Sequence, residues 1–73
     1  MLEANIIKVL KKARKNRKIT QEIAAEAIGT SSKTLYRVES LYVPISLNMF
    51  LALCELYQIA PEQIIIQAKN LSN

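Results

Sequence analysis

Along the first part of the chain, apolar residues return every three or four positions. Leu2, Ile6, Val9, Leu10 and Ala13 cluster on one side of a helical wheel, while Lys8, Lys11, Lys12 and Lys15 point the opposite way. This predicts a helix over residues 3–16, with Arg14 on the flank of its apolar stripe. Thr20 is placed to cap a second helix over residues 21–28, and Glu22 lies in its first turn, where the helix dipole favours negative charge. That helix stops at Gly29, the only glycine, which takes a left-handed conformation without strain. Ser31 is the next cap, opening a helix over residues 32–40 with Leu35 and Val38 as its inward stripe. Ser46 caps a fourth helix over residues 47–57, with Leu47, Phe50, Leu51, Cys54 and Tyr57 at helical spacing. Pro61 suits the first position of a fifth helix, to about residue 68, because its missing N–H has no partner there. Strand-like alternation is scarce. The expectation is an all-α, five-helix domain covering residues 1–73 as one unit.

Composition narrows the function classes. A chain of 73 residues buries only about 60% of its unfolded surface, so modest stability is expected. No apolar run approaches the roughly 20 residues of a membrane span, and no signal-peptide layout is visible. A cytosolic protein without membrane contact is expected. Cys54 is alone, which excludes an internal disulfide and suits a small core residue. The chain has no histidine, so a histidine-based metal site or triad is excluded. There is no metal-ligand cluster, no glycine-rich phosphate cradle and no nucleophile–base pair, so neither a cofactor nor catalysis is expected.

Charge adds a direction. The net charge is +4, and seven of the ten basic residues lie between Lys8 and Lys18. From Val38 to Ala68 there is no Lys or Arg, only Glu39, Glu55 and Glu62. This asymmetry suggests an anionic partner for one side of the molecule.

The stretch TQEIAAEAIGTSSKTLYRVES, residues 20–40, reads as helix, tight turn, helix. Two helices crossing steeply need a small residue where they touch, which Ala25 supplies. The turn needs a residue tolerant of positive φ, which Gly29 supplies. Leu35 and Val38 dock the second helix and leave its outer side free. With Ala13, Arg14, Ile19, Thr20, Gln21 and Glu39, this spacing resembles the phage-repressor or Cro-type helix-turn-helix family, the XRE class of bacterial regulators. The resemblance runs over roughly Ile6 to Ile65 and implies a lambda-repressor-like fold that binds double-stranded DNA. The helix from Ser32 is then the recognition helix, lying in the major groove. Ser32, Lys33 and Arg37 match base-reading positions, Gln21 matches a phosphate-contacting one, and Ser31 and Tyr36 are further phosphate candidates. Arg14 and Glu39 match a buried ion pair joining the first and third helices. The family also implies a bacterial or phage-encoded regulator that meets DNA at the nucleoid, most often as a homodimeric repressor on a palindromic operator.

Several positions depart from the family pattern. Lys18, Leu41 and Gln58 stand where relatives often carry glycine, and the loop after the recognition helix is the apolar SLYVPIS instead of a basic segment. Leu41, Tyr42, Val43 and Ile45 either cover the core or form a contact patch. Ile64, Ile65 and Ile66 span about 200° of a helical wheel, so at least one should be exposed. Those three, with Leu41 and Val43, are candidates for a dimer seam, and residues 60–73 are the candidate pairing segment. The lysines of the first helix read best as a solvated face. A second function class stays open: a protein-interaction module, such as an antitoxin or a phage accessory factor, holding a partner by the apolar loop or the tail.

Overall fold

A computed structural model describes residues 2–71 as five helices: α1 (Leu2–Asn16), α2 (Gln21–Ile28), α3 (Ser32–Glu39), α4 (Leu47–Tyr57) and α5 (Pro61–Asn70). Three of them begin at a hydroxyl. Thr20 Oγ1 accepts the Ile23 N–H at 3.1 Å, Ser31 Oγ the Thr34 N–H at 3.1 Å, and Ser46 Oγ the Met49 N–H at 3.0 Å. Each bond satisfies a first-turn donor with no partner inside its helix. α5 begins without such a bond, and Pro61 stands in its first turn.

The first four helices share one ending. After α3, the Leu41 N–H donates to the Val38 carbonyl at 3.0 Å and the Tyr42 N–H to the Arg37 carbonyl at 2.9 Å. The same pair of bonds closes α1 through Lys18 and Ile19, α2 through Gly29 and Thr30, and α4 through Gln58 and Ile59. This Schellman closure needs one residue in the left-handed region. The φ angles there are 59° at Lys18, 80° at Gly29, 65° at Leu41 and 57° at Gln58. Only Gly29 avoids the penalty a Cβ carries in that region. The three positions that depart from the family's glycine therefore keep the glycine conformation.

The core is a single cluster drawn from every helix. Ile7, Val9 and Leu10 of α1 meet Ala24 and Ala25 of α2, Leu35 and Val38 of α3, Phe50, Leu53, Cys54 and Tyr57 of α4, and Ile64 and Ala68 of α5. α1 lies mainly along α5, where Asn5 Nδ2 donates to the Ala68 carbonyl at 3.1 Å. α2 packs on α3 and α4. The Cα radius of gyration, 11.2 Å, is about what a compact chain of this length requires.

Three expectations about burial are corrected. In α1, Ile7 is buried and Leu2 is exposed, because the helix is covered on more than one side and its buried arc is wider than the predicted stripe. In α4, Leu47 and Leu51 face outward while Leu53 is in the core. Ile64 cannot serve a dimer seam in this fold. It has no exposed surface, because α5 turns Ile64 and Ala68, four residues apart, into the core. Ile65 is half-buried and Ile66 is exposed. The last two positions of the proposed pairing segment, Ser72 and Asn73, lie outside the described residues. Among the described residues, no single helix is long and apolar enough to cross a membrane.

Candidate nucleic-acid interface

The outward face of α3 follows from how its inner face is held. Leu35 and Val38 are buried against the core, and Ala24 and Ala25 of α2 have almost no exposed surface. Gly29 is itself exposed, so it shapes the turn by conformation and not by contact. At about 100° per residue, the direction opposite the Leu35–Val38 stripe falls almost on Lys33. Tyr36 and Arg37 flank it by about 50° on either side, and Ser32 lies near the edge, about 90° away. All four are exposed.

Behind this face is an ion pair. Arg14 donates twice to Glu39, from Nε to Oε2 at 2.8 Å and from Nη2 to Oε1 at 3.0 Å. Its third donor, Nη1, reaches the Ile19 carbonyl at 2.8 Å. The fork therefore ties α1 to α3 and to the loop before α2. Both side chains are more than nine-tenths buried, a setting in which planar, bidentate geometry matters most. The hydrogen bonds to Glu39 raise the Arg14 pKa above its ordinary value against the opposing effect of burial.

The phosphate candidates are less free than expected. Gln21 Nε2 donates to Glu39 Oε1 at 2.9 Å, so this amide is steadied by the ion pair at the start of α2. The Ser31 hydroxyl accepts the Thr34 N–H and donates to Thr34 Oγ1 at 2.9 Å, which commits it to capping. Tyr36 sits against Tyr42, with ring centroids 6.4 Å apart and planes tilted by 52°. Lys8, Lys12 and Lys15 of α1 are exposed and Lys11 is half-buried.

Two buried titratable groups stand away from this face. Burial pushes the Cys54 thiol up, with Glu62 adding to the effect, so it stays a protonated core residue. Burial also pushes the Tyr57 phenol up to about 12, with a smaller contribution from Glu39. The Tyr57 hydroxyl has no hydrogen-bond partner among the described residues.

Of the remaining dimer candidates, Ile65 lines an open hollow of about 310 Å³ with Ile6, Ile45, Leu47 and Phe50. Leu47 at its rim is 70% exposed. Leu41 and Val43 are exposed and are not part of this lining. The sequence carried no signal for Leu47 here, because α4 is apolar on nearly every side and its periodicity cannot separate inward from outward leucines.

A helix-turn-helix family model matches residues 10–64, which spans α2 and α3, the ion pair and most of the core. The chain belongs to the Cro/C1-type helix-turn-helix family, a class of DNA-binding transcription regulators. Comparison with curated proteins and with solved structures gives no match.

Proposed function

We propose that the protein represses transcription as a homodimer, reading a palindromic operator with α3. The observation that carries this reading is the outward arc of α3: Ser32, Lys33 and Arg37 exposed on a helix whose other side is docked by Leu35 and Val38 and tied down through Glu39. Lys33 and Arg37 suit guanine O6 and N7 in the major groove, each good pair worth about 1–3 kcal/mol of discrimination. Ser32 either donates or accepts. Gln21, at the N-terminus of α2, supports a phosphate contact through its steadied amide, and Ser31 contributes by opening α3 at the groove. Two copies related by a two-fold axis would set their α3 helices in successive major grooves about 34 Å apart. The hollow lined by Leu47 and Ile65, with Ile66 exposed on the same helix as Ile65, supports a seam along α4 and α5. Occupying a promoter then excludes polymerase.

Selection of bound duplexes from a random library tests this directly. The expected winners are inverted repeats with half-sites one helical turn apart. Winners without symmetry contradict the homodimer, and an unenriched pool contradicts sequence reading altogether.

A second reading is favoured by one observation, the exposure of Leu41, Tyr42 and Val43 in a loop where relatives place basic residues. It is a protein-interaction module on the same fold. Salt titration on random duplex DNA separates the two. A DNA reader loses affinity with a log–log slope of about −0.9 per neutralised phosphate, whereas the module shows no binding at about 50 mM salt.

A further inference from the structure

We propose that Tyr36 reads base edges through its ring, as a sensor of the thymine C5-methyl group, and that Tyr42 is the residue that positions it. The inference rests on the DNA-reading assignment of α3 and deepens it.

Three observations carry it. First, Tyr36 and Arg37 make nearly equal angles with the outward direction of α3, about 50° on either side of it. A placement that brings Arg37 to base edges brings the Tyr36 ring to them as well. Second, Tyr36 is 49% exposed, so about half of the residue stays open while its ring sits against Tyr42. Third, the support is built into the helix ending. Leu41 takes a φ of 65°, the Tyr42 N–H returns to the Arg37 carbonyl at 2.9 Å, and the Tyr42 ring arrives 6.4 Å from that of Tyr36. An apolar contact between these two positions often accompanies a Schellman closure. That accounts for the contact without DNA, but not for a tyrosine ring on the outward arc of a reading helix. A ring held by a neighbour loses less rotamer freedom on binding, and an apolar ring in the major groove meets one apolar group on the base edges, the thymine methyl.

The test compares thymine with deoxyuridine, which lacks only that methyl. The best duplex from the selection is resynthesised with deoxyuridine at each thymine in turn, and dissociation constants are measured for the parent, Tyr36→Phe, Tyr36→Ser, Tyr42→Phe and Tyr42→Ala. The parent should lose about fourfold at one symmetric pair of thymines per half-site contact, the factor expected for one buried methyl. Tyr36→Phe should keep that loss, because the ring carries it, and Tyr36→Ser should abolish it. Tyr42→Ala should reduce the thymine preference, and Tyr42→Phe should restore it. A parent indifferent to every uracil swap overturns the proposal. So does a Tyr36→Phe variant as weak as Tyr36→Ser, which makes the hydroxyl a phosphate ligand. If the parent binds no duplex better than random DNA, the DNA-reading assignment falls and takes this one with it. Normal operator binding with no methyl preference sinks this inference alone.

Discussion

Gln58 holds a left-handed backbone that glycine would hold without strain, and Gly29 is the one residue of its kind that holds it freely. An added Cβ at Gly29 meets nothing within 4 Å, so Gly29→Ala isolates the backbone term. We expect it to cost about 1 kcal/mol in urea unfolding. The reverse change, Gln58→Gly, relieves a similar strain but adds chain entropy to the unfolded state. It should lie between neutral and about 1 kcal/mol more stable. A large loss from Gln58→Gly would mean the side chain contributes more than the backbone angle costs. Tyr57 makes the other residue-scale prediction. Its hydroxyl is buried without a partner among the described residues, so Tyr57→Phe should be neutral or stabilising by about 1 kcal/mol. The pH sign follows from the raised pKa. The folded state holds the phenolic proton more tightly than the unfolded chain, whose tyrosine titrates near 10. That contribution is complete below about pH 10 and is lost as pH rises through about 12. Stabilities of parent and Tyr57→Phe should therefore keep a constant small offset below about pH 10 and separate as pH rises through about 12, with the parent losing stability. Parallel curves throughout would remove Tyr57 from the alkaline response.

At the scale of elements, the Arg14–Glu39 fork decides how α3 is held. Removing either partner strands a charge that is almost fully buried, and each alanine variant should lose about 3 kcal/mol in thermal or urea unfolding. Glu39→Ala also frees Gln21, so its operator affinity should fall further than Arg14→Ala predicts from stability alone. Variants that unfold with the parent would refute the pairing as a structural tie. The helices were legible because their punctuation is chemical. Thr20, Ser31, Ser46, Gly29 and Pro61 mark starts and stops by what their own atoms can do, and the boundaries of α2 and α4 follow them. The faces were less legible. In α3, polar and apolar positions separate cleanly, so the inward placing of Leu35 and Val38 could be read in advance. In α4, leucines occur on all sides, and only tertiary packing separates buried Leu53 from exposed Leu47 and Leu51. The same holds for Ile64, which three adjacent isoleucines do not distinguish from Ile66. Sequence also could not show that the Ser31 hydroxyl is spent on capping or that Gln21 leans on Glu39, because both depend on where neighbouring side chains come to rest.

For the whole molecule, the placement of apolar surface supports a division of labour. The reading arc lies on α3, while the hollow lined by Ile6, Ile45, Leu47, Phe50 and Ile65 lies among α1, α4 and α5. A dimer interface of standard size needs about 800 Å² from each partner, roughly one sixth of this chain's 4908 Å². Ile66 is 48% exposed, so a charge there disturbs a seam without opening the core. Ile66→Glu should elute as a monomer on a sizing column and bind one half-site with sharply lower operator affinity. An unchanged elution volume would place the seam elsewhere, with Leu41 and Val43 the next surface to test. The measurement closest to the central claim is the binding of Lys33→Ala and Arg37→Ala to the selected operator and to random duplex at one salt concentration. Each variant should lose about tenfold or more on the operator and much less on random DNA, so that the specificity ratio falls. Equal losses on both duplexes would make these side chains phosphate contacts and remove sequence reading from α3.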